Sequence, residues 1–217
     1  MTARTGQDPA QTLLDLHAVA NLQGRYMYYL EAHRYAELLG LFALDQPQVS
    51  VEIGEGGIYV GAEKVRALFL EVLRPFFMMP GMMPVHMLTT PVIEVQSDGH
   101  SAAGMWQTLG CNSFPGPDGL KAVWQQGYYD NAYVRGTAGW RILRMRWQAN
   151  FRTSFDRGWV QEPLYRLQPL DWSKFPERMR PDSIGGEGHE FYDPARVRAC
   201  APRPPEPQAR GLDYVPA

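Results

Sequence analysis

Apolar residues recur at helical spacing through the N-terminal part of the chain. Between residues 12 and 43 they return every three or four positions, which predicts a long helix that Gly24 and Gly40 weaken or bend. Polar groups interrupt this apolar face, and they need partners if they are buried. These groups are Arg25, Tyr26, Tyr29 and Glu31. Such a helix either satisfies a polar core or lines a cavity.

Alternation of apolar and polar residues predicts a sheet in the following segments. A short strand at 48–53 and a strand edge at 58–60 precede a helix over 62–73, which Pro75 is expected to end. Four longer strands, separated by hairpin turns, are predicted at 85–95, 101–113, 121–134 and 140–151. Helices first and hairpin-connected strands afterwards predict an α+β domain whose helices gather on one face of the sheet.

The composition changes after Val160. Ten of the eighteen prolines lie beyond this residue, and apolar runs become rare. We therefore divide the chain into a domain of residues 10–160 and an irregular Pro-rich extension of residues 161–217. The extension is expected to pack on the domain or on a neighbouring subunit, with residues 201–217 as an extended tail.

Composition and charge narrow the class of protein. A formal charge of −2, with both signs mixed along the chain, argues against nucleic acid or an anionic membrane surface as a partner. No apolar run reaches the ~20 residues of a membrane-spanning helix. The first residues lack the features of a secretory signal, so we expect a cytoplasmic protein. Cys111 and Cys200 have neither metal-ligand spacing nor a disulfide framework, and no metal site is expected.

Aromatic and methionine residues are abundant. The chain has six Trp, eleven Tyr, nine Phe and ten Met, and residues 76–83 read FFMMPGMM. Methionine adapts to irregular apolar shapes and packs well against rings. The segment is therefore either a core patch or subunit contact, or the wall of a site for a flat hydrophobic ligand.

Five segments in sequence order resemble the SnoaL-like branch of the nuclear transport factor 2-like superfamily. They are RYMYYLEAHRY, LFALD, GIYVGAEKVRALF, VHMLTTPVIEVQSDGHSAAGMW and GWRILRMRW, and they cover roughly residues 10–158. The resemblance implies a cone, in which a strongly curved antiparallel or mixed sheet wraps around a long N-terminal helix and leaves an open-ended apolar pocket. Members include dehydratases, isomerases, polyketide cyclases and lyases that use no cofactor, and also binding and scaffold proteins.

The resemblance also implies positions for catalytic groups. Enzymes of this group carry the pattern Arg-Tyr-x-x-x-x-Asp in the first helix, which falls here on Tyr26 and Glu31, with glutamate in place of aspartate. A histidine early in the first long strand corresponds to His86. An arginine late in the last strand corresponds to Arg144 or Arg146, where it would hold an oxygen anion.

These residues also have structural interpretations. His86 is equally a strand histidine with satisfied hydrogen bonds, and Tyr26 and Tyr29 equally belong to an amphipathic core helix. Glu31 lies about 140° around an ideal helix from Tyr26 and is placed for a salt bridge with a nearby arginine.

The pocket lining is predicted from polar groups that lie among aromatic residues on the strands. In the last strand, unbroken alternation places Trp140, Ile142, Arg144 and Arg146 on one face, which is either a pocket wall or solvent-exposed. The predicted substrate-binding residues are Tyr29, Tyr59, Trp106, Thr108, Trp124 and Tyr128.

The function that we expect is a cofactor-independent lyase acting on a hydrophobic aromatic small molecule. Acid/base elimination would release water, or formaldehyde by a retro-aldol-type cleavage, as in deformylation of a lignin-derived diarylpropane diol to a stilbene. His86 would be the base, and Tyr26 with Glu31 the acid or orienting pair. The alternatives are a steroid- or polyketide-type dehydratase, isomerase or cyclase, and a non-catalytic small-ligand-binding module. A homo-oligomer, dimer or trimer, is expected because a curved sheet needs its outer face covered.

Overall fold

The computed structural model describes residues 8–116, 118–167, 169–186, 189–198 and 202–206. The helices are α1 (Pro9–Glu31), α2 (Tyr35–Leu39), α3 (Ala62–Ala67) and α4 (Arg74–Phe77), the last two joined by a π-helical segment at Leu68–Leu73. The strands are β1 (Ser50–Ile53), β2 (Ile58–Val60), β3 (Met83–Val95), β4 (Ser101–Gly116), β5 (Gly119–Gly136) and β6 (Gly139–Ser154). Short 3-10 turns lie at Gly54–Gly56, Trp172–Lys174 and Glu177–Met179.

The six strands form one mixed sheet that curves around α1. Its order is β2-β1-β6-β5-β4-β3, in which only β1 and β6 are parallel neighbours. The predicted α+β class and the predicted strands are therefore confirmed, and the four long strands extend by up to three residues beyond their predicted ends. Within the described chain, no helix combines the length and the apolar character needed to cross a bilayer.

Helix α1 forms because its first turn is capped and one face is apolar. The Asp8 side chain accepts a hydrogen bond from the Ala10 amide at 3.2 Å, and Pro9 occupies the first turn, where it has no amide hydrogen to lose. The buried apolar residues on its face recur at helical spacing. They are Val19, Leu22, Tyr26, Met27 and Leu30.

The predicted helix over residues 12–43 is wrong in length. Helix α1 ends at Glu31, and His33 adopts a left-handed backbone with φ of 54°. The Arg34 amide then donates to the Tyr29 carbonyl oxygen at 2.8 Å, which closes the helix end. Because α2 buries its apolar residues in the same core, the periodicity continues across the break and hides it.

The prediction that Pro75 ends the helix after β2 is wrong. Pro75 lies in the first turn of α4, where a missing amide hydrogen breaks no helical hydrogen bond. The π-helical segment before it changes the hydrogen-bond register and allows this new start. The chain consequently remains helical from Ala62 to Phe77.

Two bulges in β6 decide which residues face α1. Tyr133 pairs with Ile142 and Ala132 with Arg144, so one extra residue, Leu143, lies between them. This extra residue reverses the alternation, and the prediction that Arg144 and Arg146 share a face with Trp140 and Ile142 is wrong. A second extra residue, Asn150, reverses the alternation again. Arg152 therefore pairs with Gln125 and lies on the same face of the sheet as Gln125. We call the face toward α1 the inner face.

The C-terminal extension covers the free edge of β6 beyond its pairing with β1. The Arg152 amide donates to the Pro163 carbonyl oxygen at 3.1 Å, and the Tyr192 amide donates to that of Asn150 at 2.6 Å. We call residues 181–186 and 189–192 the strap. Cys200 and residues 207–217 of the predicted tail lie outside the described residues.

Candidate functional site

His86 lies on the inner face of the sheet, in β3. It pairs with Gly110 of β4, and a Cβ atom added to Gly110 would lie 2.8 Å from His86 Cδ2 and 2.9 Å from Asn112 Nδ2. Glycine at this position therefore lets the imidazole and the amide approach the strand closely.

The His86 ring is held from two sides. It stacks on Trp147 of β6, with ring centroids 5.3 Å apart and an interplanar angle of 11°. The side-chain amide of Gln125 hydrogen-bonds to Nε2 of His86. The other ring nitrogen, Nδ1, is buried and has no hydrogen-bond partner among the described residues. The neutral ring acts as a base through Nδ1 when the Gln125 amide oxygen, rather than its nitrogen, faces Nε2 and accepts its hydrogen.

The surroundings of His86 keep its imidazole neutral. Burial and, to a smaller extent, the nearby Arg152 guanidinium lower its pKa to about 4. A neutral imidazole near neutral pH can take up a proton from a ligand.

Arg152 lies on the inner face beside His86, and the sequence analysis missed it. It is 6% exposed, and its Nη1 lies 3.2 Å from Glu55 Oε2 and 3.4 Å from the Tyr165 carbonyl oxygen. Its Nε has no hydrogen-bond partner within the described part of the chain. Burial lowers the pKa of Arg152, and the Glu55 carboxylate opposes that shift. Only the two bulges reveal its inward position, because counting alternate residues gives the wrong face.

Further polar groups surround His86. Trp147 Nε1 donates to Thr108 Oγ1 at 3.3 Å. Asn112 is 2% exposed, and neither side-chain atom has a partner in the described ranges. We define the His86 cluster as His86, Thr108, Asn112, Gln125, Trp147 and Arg152. Buried amide and imidazole atoms without partners are costly, which distinguishes this cluster from an ordinary core.

A cavity of about 110 Å³ adjoins the His86 cluster through Trp147 and Arg152. Its other walls come from the turn after β1 and from the strap, which lies over this part of the sheet. The lining residues are Gly54, Glu55, Trp147, Ala149, Arg152, Gly185, Gly186, His189 and Phe191. The site is therefore partly built by the C-terminal extension.

Tyr26 and Glu31 do not join this cluster. The Tyr26 ring packs edge-on against Phe42, Phe69 and Tyr129, at centroid distances of 6.1, 6.3 and 5.9 Å. It shares a side-chain hydrogen bond with Tyr129, and burial raises its pKa. Glu31 is exposed at the last turn of α1. The structure thus gives Tyr26 a core environment and leaves Glu31 at the surface.

The two arginines predicted to hold an anion lie on the outer face. Arg144 Nη2 is 3.7 Å from Asp130 Oδ2, and Arg146 Nε is 3.0 Å from Glu52 Oε2. The bulge at Leu143 turns both away from His86. Arg152 takes the inward position that was expected of them.

The six predicted substrate-binding residues separate into four groups. Thr108 belongs to the His86 cluster, while Tyr59 and Trp106 are buried in the hydrophobic core. Trp124 stacks on Phe155 on the outer face, and the Tyr128 hydroxyl accepts a hydrogen bond from Arg198 Nη2 at 2.6 Å there. Tyr29 lies beneath the Arg34 guanidinium at 4.9 Å, near the end of α1. Only Thr108 is brought to His86.

Among the residues that the structure describes, no group of three or more His, Cys, Asp or Glu side chains is arranged to hold a metal ion. Cys111 is a free, half-buried cysteine in β4.

Solved structures show the same fold. The type 2 hexachlorocyclohexane dehydrochlorinase LinA matches with a TM-score of 0.59 and 16% identity, over 75% of this chain and 100% of its own. A protein named as a candidate scytalone dehydratase from Novosphingobium aromaticivorans matches with a TM-score of 0.57 and 16% identity, over 74% of this chain and 100% of its own. The Kfla4162 protein from Kribbella flavida matches with a TM-score of 0.53 and 19% identity, over 64% of this chain and 93% of its own.

Sequence comparison gives the family. No curated protein matches the chain significantly. The model of the SnoaL-like domain matches residues 11–146, well over half of the chain, and these residues include α1, the first five strands and the start of β6. The chain belongs to the SnoaL-like domain family.

Proposed function

We propose that this protein is a lyase that needs no cofactor and acts on a hydrophobic aromatic small molecule by acid/base elimination. The observation that carries the proposal is His86, which is neutral, faces inward and lies close to Arg152. The imidazole supplies a base and, once protonated, the acid for the leaving group, and the guanidinium supplies a cation for transient negative charge.

Two of the structures with this fold are named for eliminations. One name denotes loss of water and the other loss of hydrogen chloride. Both reactions remove a proton from one carbon and a leaving group from its neighbour. These names support an elimination on this fold, and the residues of the His86 cluster supply the local chemistry.

For an aromatic 1,3-diol the reaction balances without an electron carrier. His86 takes the proton of the primary hydroxyl, whose oxygen becomes the carbonyl oxygen of formaldehyde as the carbon–carbon bond breaks. The electron pair of that bond forms the new alkene and expels the neighbouring hydroxyl group. The imidazolium returns its proton to this leaving group, so the products are an alkene, formaldehyde and water. Arg152 stabilises the oxygen anion that develops during the cleavage.

The size of the cavity sets a condition on such a substrate. About 110 Å³ is well below the ~300 Å³ at which sites for whole drug-sized ligands begin. A substrate of two rings therefore enters with one end. Because His86 stacks on Trp147 and is not itself a lining residue, Trp147 or the strap must shift for the reacting hydroxyl to reach it.

The experiment is a turnover assay with a panel of aromatic 1,3-diols, in which stilbene absorbance and released formaldehyde are measured together. We expect His86→Ala to lower turnover by at least ~10²-fold. The matched control is His100→Ala, in the exposed hairpin between β3 and β4, which should stay within about twofold of wild type. Full activity of His86→Ala, or no product from any diol, would contradict the proposal. Products without formaldehyde would instead identify a simple dehydratase.

A second candidate is a non-catalytic binding module. The observation that favours it is the partner of His86, which is the Gln125 amide rather than a carboxylate. Acid/base histidines are often oriented by a carboxylate, as in the Ser-His-Asp triad. This candidate predicts that panel compounds bind to wild type and to His86→Ala alike, with no turnover by either.

A further inference from the structure

His189 of the strap presents an unused ring nitrogen beside the cavity. Its Nε2 lies 2.5 Å from the Ala149 carbonyl oxygen. Because a carbonyl oxygen only accepts hydrogen bonds, Nε2 carries the hydrogen and donates it. In the neutral ring the other nitrogen, Nδ1, then has a lone pair and acts as an acceptor. Nδ1 is buried, and it has no partner among the residues with described positions.

Arg152 presents the complementary group at the same cavity. Its Nε–H is a donor that is likewise buried and unpartnered within the described residues. Leaving a buried donor or acceptor unpaired is unfavourable, so two such groups around one cavity indicate a polar occupant. A hydroxyl group placed between the two would match both, because it donates its hydrogen and accepts through its oxygen.

The charge around the cavity favours a neutral hydroxyl over a carboxylate. Glu55 already lies 3.2 Å from Arg152 Nη1, and it also pairs with Arg166 at 3.3 Å. The Glu55 carboxylate lies at the cavity wall and repels a second carboxylate, whereas a neutral hydroxyl meets no such repulsion. The remaining walls are an indole, a phenyl ring and glycines, which suit an aromatic ring.

The cavity volume is suited to one end of an aromatic ring. An apolar cavity of ~150 Å³ holds benzene. The cavity here measures about 110 Å³, so it accommodates the hydroxyl end of a ring once the strap adjusts slightly.

We propose that His189 and Arg152 form a hydroxyl-recognition subsite for an aromatic ligand. Nδ1 of His189 accepts a hydrogen bond from a phenolic or alcoholic hydroxyl, and Nε of Arg152 donates to the oxygen of that hydroxyl. The inference rests on the proposed function, because it assigns one end of the substrate of the same site. It places a specificity-determining residue outside residues 11–146, the part of the chain that the family model matches.

The test measures binding rather than turnover. Wild type is titrated calorimetrically with matched pairs, 4-ethylphenol against 4-ethylanisole and benzyl alcohol against benzyl methyl ether. We expect each hydroxyl compound to bind at least ~10-fold more tightly than its ether, because the ether cannot donate to Nδ1. The first pair reports a phenol and the second an alcohol.

Variants locate the preference. His189→Phe should bring each pair to within about twofold of one another, and His100→Phe, at the exposed hairpin, should leave the preference unchanged. His189→Leu serves if the phenylalanine variant does not fold, as judged by its thermal transition. Equal binding of alcohol and ether by wild type would overturn the inference, since water alone would then be the occupant. A preference that survives in His189→Phe or His189→Leu would overturn it too.

The His86→Ala variant separates this inference from the proposed function. It should lose turnover and keep the hydroxyl preference, because His86 does not line the cavity. Absence of turnover in wild type together with a hydroxyl preference would remove the lyase and retain the subsite. Turnover by wild type without a hydroxyl preference would retain the lyase and remove the subsite.

Discussion

Two groups of polar side chains lie between the inner face of the sheet and the elements packed on it, and they differ in how well their atoms are paired. We call the group beneath α1 the Asp15 cluster; it consists of Asp15, Gln23, Asn131, Tyr133, Arg135 and Trp140. Asp15 accepts from Arg135 Nη2 at 2.6 Å and from Trp140 Nε1 at 3.0 Å. Gln23 Oε1 accepts from Asn131 Nδ2 at 2.8 Å and from the Tyr133 hydroxyl at 2.9 Å.

The His86 cluster has similar residue types and much poorer pairing. Among the residues that the structure describes, atoms without partners occur on His86, on both ends of the Asn112 amide and on Arg152, and His189 adds another at the adjoining cavity. In the Asp15 cluster the corresponding atom is Gln23 Nε2. Native proteins pair nearly all buried polar groups. The comparison teaches that pairing, rather than residue type, separates a polar core that stabilises the fold from a site that binds a ligand.

The largest expected effect is on stability, from loss of the carboxylate of the Asp15 cluster. Asp15→Ala leaves the Arg135 guanidinium and the Trp140 indole without their acceptor, and we expect the free energy of unfolding to fall by about 3 kcal/mol. Urea denaturation measures this. Asp45→Ala is the control, because Asp45 is exposed and loses only an ion pair with Arg141 at 3.4 Å. The free energy of unfolding should change by less than about 1 kcal/mol. Equal losses for both variants would break the comparison.

The second effect concerns pH and reports His86. Its pKa is about 4 in the folded protein and 6.5 when unperturbed, so the unfolded chain binds a proton that the folded protein excludes. Stability contributed by the neutral imidazole is therefore complete above pH 6.5 and is lost as the pH falls toward 4, by up to about 3 kcal/mol. Urea denaturation at pH 7 and at pH 5 measures the slope. His86→Gln should reduce the change in the free energy of unfolding between these two pH values. An unchanged difference would show that the folded protein does not lower the pKa of His86.

The third effect sets two asparagines of the same sheet face against each other. Asn131→Leu removes one of the two donors to Gln23 Oε1 and the acceptor of the Arg146 amide, and it should destabilise the protein by about 2 kcal/mol. Asn112→Leu removes an amide that has no partner within the described residues and should stabilise it by about 1 kcal/mol. Thermal unfolding of both variants gives the signs. Destabilisation by Asn112→Leu as large as that by Asn131→Leu would show that Asn112 is paired in solution.

Much of the fold was accessible from the sequence because periodicity is a local property. The strands, their hairpins and the apolar face of α1 follow from spacing over a few residues. The break at His33 was not accessible, because α2 packs into the same core and continues the apolar pattern. Likewise the π-helical segment that lets Pro75 enter a helix leaves no mark in the spacing.

The site was less accessible, because it depends on bulges and on contacts between distant segments. His86 was placed on the sheet correctly by its position in a strand, but the face of every residue after Leu143 depends on one extra residue that alternation cannot reveal. Arg152 becomes inward only after a second such residue. His189 reaches the cavity through a segment with no regular secondary structure, for which periodicity gives no signal.

The smallest effect is the loss of a single hydroxyl, tested at two buried tyrosines. Tyr133→Phe removes a hydroxyl that donates to Gln23 Oε1 and lies 3.0 Å from Asn131 Nδ2, so we expect a loss of about 1 kcal/mol. The Tyr35 hydroxyl has no hydrogen-bond partner among the described residues, and burial raises its pKa to about 12.

Tyr35→Phe should therefore be neutral or slightly stabilising, because the unfolded chain loses a solvated hydroxyl while the folded protein loses an unpaired one. Both substitutions remove one oxygen from a ring that is at most 3% exposed, so they differ only in pairing. The difference between the two, measured by urea denaturation at pH 7, isolates the contribution of paired hydroxyls to the Asp15 cluster. A loss at Tyr35 equal to that at Tyr133 would mean that pairing does not distinguish structural polar groups in this protein, and the contrast with the His86 cluster would lose its basis.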